Sequence, residues 1–388
     1  MAPLRRASGD PILSIETGAA YEFVMSLVTM SEVSNRDVLE VGPAWVEKIE
    51  QRAGPELMRR LAEFSQGTGD GFMHLSGMAY DTPAPREAAS LIGHIEAADP
   101  SAVCLHLIGY YEYHVRRKTS GETMRAAAEG DQAAIAELIA ATEDWHDWRR
   151  FLERVLTAGA ERTKDDLLAL LRAWNEHVWA EERGAIMPIL ERDAAAKREM
   201  ATELPFERFV EQATNGVRYV ARPQLDRLVL IPTYLNRPWV SYAEINGAMI
   251  MVYPVADESV AAVSDSPPLR LIRLTKALAD EKRLRILRAL AEEPRSLVGL
   301  AELFEMPKTS MHHHMITLRS AGLVSVTADK SEYRLRGDAL PSLAQLLGGY
   351  ISPAADRAPL PEPAASPEEP TPTGRPNRQR APAVAKTR

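Results

Sequence analysis

Residues 278–324 read LADEKRLRILRALAEEPRSLVGLAELFEMPKTSMHHHMITLRSAGLV, and this stretch decides the fold of the C-terminal part of the chain. The spacing of its apolar residues predicts a short helix over 297–304 and a second helix over 308 to about 321. Residues 305–307 form the turn between them. Gly322 ends the second helix, because glycine readily takes the left-handed backbone conformation needed there. The order is that of a helix-turn-helix.

The flanking residues extend this pattern on both sides. Upstream, an apolar stripe recurs at helical spacing, and arginines fall elsewhere around the same helix. The stripe consists of Leu284, Leu287, Leu290 and Ala291, and the arginines are Arg283, Arg285 and Arg288. Downstream, residues 323–327 and 332–335 are rich in Val, Tyr and Leu and predict two strands joined by a polar turn. We therefore predict a winged helix-turn-helix in which this hairpin is the wing.

Helical spacing divides the helix 308–321 into two faces. Met311, Met315 and Leu318 stand at i, i+4 and i+7 and are expected to face the core. The side chains expected to point away are Lys308, Thr309, His312, His313, Ile316 and Ser320. Hydroxyls, imidazoles, a cation and the N–H groups of a helix N-terminus suit phosphate oxygens and base edges. The candidate DNA-binding residues are Lys308, Thr309, Ser310, His312, His313, Arg319 and, at the wing tip, Lys330.

Two segments, 278–290 and 297–324, resemble the winged-helix domain of the ArsR-type bacterial repressors. The resemblance rests on the Leu-Ala-Asp opening at 278–280, the Arg-Leu-Arg-Ile-Leu run from Arg283, and the His-His pair followed by Leu-Arg and Ala-Gly-Leu-Val. It implies a homodimeric transcription regulator, most often a repressor. It also implies that the helix beginning at Lys308 enters the major groove of double-stranded DNA at a palindromic operator.

The metal-sensing residues of that family are missing from this chain. Residues 297–304 contain no cysteine, and Cys104 is the only cysteine in the sequence. The C-terminal helix expected at 338–351 offers one carboxylate and then leucines, so it looks like a dimer surface. Neighbouring side chains on a helix diverge by about 100°, so His312, His313 and His314 cannot converge on one ion. We therefore expect neither a metal site nor a cofactor, and His314 is expected to pack partly inward.

Charge is divided unevenly along the chain. Residues 269–336 hold 13 Lys or Arg against 8 Asp or Glu, a net charge of +5, whereas the whole chain carries −8. The remainder must therefore carry −13. A cationic module on an acidic body fits DNA as the partner, because phosphates attract the basic surface.

Residues 1–263 are predicted to form a larger, mainly helical domain that dimerises, senses a signal, or both. The expected helices lie at 16–30, 44–52, 55–65, 85–97, 102–118, 132–141, 144–158 and 164–197. Pro188 is expected to kink or divide the last of these. Runs of Ile, Val and Leu at 227–232 and 248–254 predict two paired strands in a small β element.

Composition sets the domain boundaries. Small and polar residues, with Pro267 and Pro268, indicate a connector near residue 264. Residues 264–351 would then form the winged-helix domain. Residues 352–388 are rich in Pro and Ala with basic residues near the end, which predicts a disordered tail.

The first domain shows no catalytic motif. The glycines at 67, 69 and 71 do not have the spacing of a phosphate-binding loop, and Cys104 lies in an apolar run typical of a buried thiol. We expect no enzyme. Membrane spans and a signal peptide are not predicted, and one cysteine allows no intrachain disulfide, so we expect a cytoplasmic protein.

Aromatic and polar residues cluster in three places and leave two interpretations open. The clusters are Tyr110, Tyr111, Tyr113 and His114; Trp145, His146 and Trp148; and Trp174, His177 and Trp179. They could line a pocket for a small-molecule effector, or simply pack in the core. Two functions besides regulation also stay open. One is a protein-interaction module that uses the winged helix as a scaffold, and the other is an enzyme with a DNA-binding appendage.

Overall fold

The computed structural model describes residues 10–32, 39–142, 145–222, 224–260, 269–327, 332–337 and 339–351. The fold is mainly helical with two small sheets, as predicted. The helices are α1 Ala19–Ser31, α2 Pro43–Ser65, α3 Asp70–Met73, α4 Ser76–Asp81, α5 Ala88–Ala97, α6 Pro100–Leu107, α7 Tyr113–Arg116, α8 Gly121–Ala128, α9 Gln132–Ala141, α10 His146–Ala158, α11 Ala160–Trp174, α12 Ala180–Glu203, α13 Phe206–Ala213, α14 Asp257–Val260, α15 Leu269–Leu278, α16 Glu281–Glu292, α17 Leu297–Leu303, α18 Lys308–Ser320 and α19 Ala339–Ile351. The strands are β1 Ile12–Ile15, β2 Val217–Arg218, β3 Arg227–Thr233, β4 Ser241–Ile245, β5 Ala248–Pro254, β6 Val324–Thr327 and β7 Tyr333–Leu335.

Most predicted elements are present, and the exceptions have local causes. The helix predicted over 102–118 ends at Leu107, and Gly109 takes a φ of +79° just beyond it. Pro188 does not divide the long helix, which runs through α11, a π-helical turn at Asn175–Trp179, and α12. The residues of the predicted tail, 352–388, and of the connector at 261–268 lie outside the described residues. The domain boundary near 264 therefore stays a prediction.

A four-stranded sheet lies in the middle of the molecule, in the order β1-β3-β5-β4. β1, β3 and β5 are parallel, and β4 pairs antiparallel with β5. Side chains alternate between the two faces of a strand, and here both faces are buried. Val229, Ile250 and Val252 pack into a core with the helices of the first half of the chain, the helical lobe α1–α12. Leu230 and Met251 pack into a second core.

The second core joins the sheet to α15–α19 and the wing, which we call the winged-helix lobe. Leu274, Ile286, Met311 and Leu323 share this core with the sheet. The core of α1–α11 therefore lies on one face of the sheet, and the core that the C-terminal half of α12 shares with the winged-helix lobe lies on the other. This arrangement explains the unbroken apolar runs of β3 and β5, because a strand buried on both faces has no polar side.

The wing is wider than the predicted hairpin. β6 and β7 are antiparallel, and the short strand β2, about a hundred residues upstream, adds to the other edge of β6 in parallel. Gly216, which precedes β2, accepts a hydrogen bond from Val326 N at 2.8 Å. Its φ is +102°, and a Cβ there would lie 2.9 Å from the carbonyl oxygen of Val324, so the close approach of the chains requires glycine.

An ion-pair network also ties the lobes together. Arg273 of α15 lies 2.6 Å from Glu40 Oε2 and 2.9 Å from Asp257 Oδ1, and both carboxylates also pair with the buried Arg237. Burial raises the pKa of Glu40, while Arg273 and Arg237 oppose that shift. Two guanidinium groups thus hold two carboxylates where α15 of the winged-helix lobe meets the rest of the chain. No described helix is both long and apolar enough to cross a membrane.

One buried carboxylate positions the loop that leads from β3 to β4. Glu22 of α1 is fully buried, and its Oε1 accepts the N–H groups of Tyr234 and Leu235 at 2.9 and 2.7 Å. Burial raises the pKa of Glu22 to about 7, although these hydrogen bonds and one from Thr233 oppose the shift. The folded protein therefore binds this proton more tightly than the unfolded chain does.

Stability should consequently fall as the pH rises from about 4.5, the ordinary pKa of the carboxyl, to about 7, and then level off. Glu22→Gln keeps an oxygen acceptor and cannot ionise, so it should lose less stability over this interval. The difference between the two proteins should reach at most about 3 kcal/mol, at about 1.4 kcal/mol per pH unit. Urea unfolding of both at pH 5 and pH 8 measures it, and parallel pH profiles would contradict the assignment.

Candidate nucleic-acid interface

The helix-turn-helix is built from capped helices joined by a short turn. Asp280 accepts the N–H of Arg283 at 2.9 Å and begins α16, and Ser296 accepts the N–H of Gly299 at 3.0 Å and begins α17. Glu305, with a φ of +50°, reverses the chain between α17 and α18. A backbone hydrogen bond closes the first turn of α18, because Met311 N donates to the carbonyl of Pro307 at 3.0 Å. The predicted boundaries of α17 and α18 agree with the structure to within one residue.

The predicted glycine end of α18 is confirmed. Gly322 has a φ of +71°, its N–H donates to Arg319 O, and Leu323 N donates to Leu318 O. This pair of bonds is a Schellman motif, which satisfies carbonyls at a helix end. Asn215, just before β2, adds a side-chain hydrogen bond to the carbonyl of Ser320 at 3.3 Å. The C-terminal end of α18 is thus held by a residue from outside the helix-turn-helix.

The apolar stripe of α16 differs from the predicted one. Ile286, Leu287 and Leu290 are buried, whereas Leu284 is 48% exposed and Ala291 is also exposed. The helix is rotated relative to the prediction because Ile286 takes the inward position. The pattern could not distinguish Leu284 from Ile286. Leu284 lies three residues before Leu287 and Ile286 lies four residues before Leu290, so both have helical spacing to a buried leucine.

The arginines of α16 have different surroundings. Arg283 donates through Nε to Ala277 O and through Nη2 to Lys276 O, both at 2.8 Å, and so caps the end of α15. Arg285 lies 5.7 Å from the ring centroid of Phe304 and is exposed, as is Arg288. Arg283 is therefore occupied inside the fold, and the other two guanidinium groups remain on the surface.

The first turn of α18 presents the polar groups expected of a DNA-contacting helix. Lys308 and Thr309 are exposed, Ser310 is partly buried, and Pro307 precedes them without any side-chain cap. The first N–H groups of an α-helix have no acceptor within the helix, so they are available to a phosphate. His313, in the next turn, is exposed as well. Lys330, at the wing tip, lies outside the described residues.

Two neighbouring stripes of α18 face the rest of the chain, and only one of them was predicted. Met311, Met315 and Leu318 are buried in the winged-helix core, as expected. The prediction that Ile316 points away is wrong, because Ile316 is only 5% exposed. Sequence spacing could not reveal this, since the cover comes from elsewhere in the chain.

The second stripe of α18 is His312, Ile316 and Arg319, at i, i+4 and i+7. His312 is exposed but lines a cavity together with Trp239, Val240 and Tyr242. Arg319 is partly buried, its pKa is lowered by burial, and the phenols of Tyr333 and Tyr242 oppose that shift. The segment 239–242, at the start of β4, therefore lies beside this stripe. In this arrangement His312 and Arg319 face the rest of the chain.

His314 is partly buried, as predicted. Burial lowers the pKa of its imidazole, while the carboxylate of Asp280 raises it and Arg283 and Lys282 lower it further. The ring lies near the Asp280 cap of α16. His314 therefore packs against the start of α16 in the winged-helix lobe, whereas His312 and His313 are exposed.

The aromatic clusters separate into core and cavity. Trp174 and Trp179 are fully buried core residues. Trp145, His146 and Trp148 line the same cavity as His312. Tyr110 stacks edge-on against Tyr111, and the side chains of Tyr113 and His114 lie outside the described residues.

Residues 269–327 have the fold of a helix-turn-helix domain. A family model for the helix-turn-helix domain matches residues 278–327. This match covers α16–α18 and β6, the elements that the spacing of residues 278–324 predicted. Neither a curated protein nor a solved structure matches the chain at a significant level.

The surroundings of Arg283 generate a stability prediction. Arg283→Ala removes two hydrogen bonds from a charged donor to helix-end carbonyls, so it should lower the free energy of unfolding by about 1–3 kcal/mol. Arg288→Ala, on the exposed side of the same helix, should change it by less than about 0.5 kcal/mol. Urea unfolding monitored by circular dichroism makes the comparison. Equal effects would show that Arg283 does not cap α15 in solution.

Proposed function

We propose that this protein is a homodimeric transcription regulator, a repressor of the ArsR type, that reads a palindromic operator with α18. The observation that carries the proposal is the uncapped, polar first turn of α18, presented by a helix-turn-helix that the family model also recognises. In helix-turn-helix proteins the N-terminal residues of the second helix contact base edges and phosphates. Lys308, Thr309 and His313 supply the exposed side chains here.

Charge supports the same assignment. The segment 269–336 carries a net charge of +5, in a chain of net charge −8. Arg285 and Arg288 are exposed on α16 and can approach the phosphate backbone beside the groove. Such contacts position the protein on DNA, while α18 reads the sequence.

Exposed apolar residues support a dimer. The large hydrophobic side chains that are most exposed in the described part of the chain all fall between residues 284 and 351, and they are Leu284, Val298, Leu303, Leu347 and Ile351. Leu347 and Ile351 stand at i and i+4 on α19, so they form one stripe. A second copy of the same helix is the simplest occupant, because a two-fold axis pairs identical surfaces. That axis would place two copies of α18 on the two halves of a palindrome.

The covered stripe of α18 favours a second candidate, a protein-interaction module. Ile316 and Arg319 face the rest of the chain, so the helix also acts as a structural element. In that case the winged helix would be a scaffold and another protein would bind the helical lobe. The open first turn of α18 favours regulation over this alternative.

DNA binding can be tested by fluorescence anisotropy of the full chain with fragments of its own upstream region and a scrambled control, at two salt concentrations. We expect one fragment to be preferred at both concentrations. Lys308→Ala should weaken binding to all fragments and lower the slope of log affinity against log salt by about 1. Arg162→Ala, an exposed cation of α11, is the matched control and should change neither quantity. Equal binding to all fragments would refute sequence-specific regulation, and a stoichiometric protein partner without DNA affinity would support the scaffold alternative.

The dimer can be tested separately by sedimentation velocity. Leu347→Glu combined with Ile351→Glu places two charges in the exposed stripe of α19 and should convert the dimer to a monomer, because buried like charges repel and are costly to desolvate. Ala133→Glu adds a charge to an exposed site on α9 and should leave the dimer intact. A dimer that survives the double substitution would move the interface away from α19.

A further inference from the structure

The third strand of the wing brings in a cation from far upstream in the chain. β2 pairs in parallel with β6, with Val217 opposite Val326 and Arg218 opposite Thr327. Val217 and Val326 are buried in the core of the winged-helix lobe. Because successive side chains of a strand point to opposite faces, Arg218 lies on the outer face of the wing sheet. This arginine thus belongs to the wing, although the family match begins only at residue 278.

Arg334 of β7 lies on the same outer face. Its neighbours Tyr333 and Leu335 pack on the core, so Arg334 points the other way. One carboxylate oxygen joins the two arginines, because Glu332 Oε1 accepts hydrogen bonds from Arg218 Nη2 at 3.2 Å and from Arg334 Nε at 2.6 Å. The arginine side chains are 27% and 47% exposed. We call these three residues the arginine fork.

The backbone holds the fork in place. Thr327 N donates to the carbonyl of Glu332 at 3.0 Å, and Glu332 N donates back to Thr327 Oγ1 at 3.1 Å. On the other side, the left-handed conformation of Gly216 lets β2 approach β6. The carboxylate therefore starts from a fixed position, and both guanidinium groups converge on it. A site that is ordered in advance loses less conformational entropy when it binds a ligand.

The fork keeps an excess of positive charge and of hydrogen-bond donors. Two guanidinium groups and one carboxylate leave a net charge of +1. A guanidinium group has five N–H donors, and among the described residues each of these two donates only to Glu332. Both donor nitrogens lie within 3.2 Å of one oxygen atom, so a single anion can contact both groups. Phosphate suits such a pair, because arginine binds its oxygens with two parallel hydrogen bonds.

The length of α18 places the wing beside the DNA backbone. The helix has 13 residues and is therefore about 20 Å long. The major groove is only about 12 Å wide and about 8.5 Å deep. When the first turn of α18 enters the groove, the C-terminal end of the helix stays outside it. The wing begins at that end, because β6 starts at Val324, directly after the turn at Gly322.

We propose that Arg218 and Arg334 clamp one phosphate of the DNA backbone, and that Glu332 holds the two guanidinium groups in position while DNA is absent. This proposal rests on the proposed DNA-binding function and adds to it a contact from outside the matched helix-turn-helix. The phosphate takes the place of the carboxylate oxygen between the guanidinium groups, so Glu332 also competes with DNA. A phosphate contact carries no sequence information, and the clamp therefore adds affinity and fixes orientation without selecting bases.

Two substitutions in the fork should have opposite effects on DNA binding, measured by fluorescence anisotropy of the full chain at several salt concentrations. Arg218→Gln removes one cation and should weaken binding to the upstream fragment and to the scrambled fragment equally, by about threefold to tenfold. It should also lower the slope of log affinity against log salt by about 1. Glu332→Gln removes the competing anion and should strengthen binding to both fragments by about twofold to fivefold.

A purely structural role of the fork makes a different prediction. If the ion pairs only stabilise the wing, both substitutions weaken DNA binding or leave it unchanged, and either result would overturn the clamp. Arg218→Lys keeps the charge and should recover most of the salt slope. Arg149→Gln and Glu153→Gln break an exposed ion pair of 2.9 Å on α10 and change the net charge by the same amounts, so they should leave DNA binding unchanged. Urea unfolding verifies that every variant is folded under the assay conditions.

The same titrations separate the clamp from the proposed function. DNA binding that is weakened by Lys308→Ala but not by Arg218→Gln would overturn the clamp and keep the proposed function. Equal binding of the unsubstituted protein to both fragments would refute sequence-specific regulation, while opposite effects of the two fork substitutions would still establish the clamp. A protein that binds neither fragment would overturn both.

Discussion

The rest of the structure depends on one constraint, the burial of both faces of the four-stranded sheet. Leu228, Leu230, Met249, Met251 and Tyr253 point into the core shared with the winged-helix lobe. Full burial of one such side chain contributes about 1.5–3 kcal/mol, so this face alone is worth on the order of 10 kcal/mol. The C-terminal half of α12 also packs on this face, where the Tyr253 hydroxyl donates to Asp193 Oδ2 at 2.8 Å. Moving the winged-helix lobe away from the sheet would therefore divide a core that α12, the sheet and the winged-helix lobe share.

That constraint also fixes the position of α18. One stripe of the helix packs in the winged-helix core through Met311 and Met315, and the stripe of Ile316 and Arg319 faces the chain around Tyr242. Asn215 holds the C-terminal end of the helix and β2 holds the wing. The first turn, with Lys308 and Thr309, is the part that remains open. The proposed contact of its first turn with DNA needs this arrangement, in which the helix is fixed at its far end and exposed at its N-terminus.

The sequence could predict the features that depend on residues close together along the chain. The turn before Lys308 and the end of α18 at Gly322 follow from residue type and spacing, and they agree with the structure. Features set by distant residues escaped prediction. Arg319 lies near Tyr242, a residue far upstream in the chain, and β2 is a two-residue strand that pairs with β6 from about a hundred residues upstream. The cluster at Trp145 and Trp148 was visible, but whether those rings were core or cavity depended on how α10 packs.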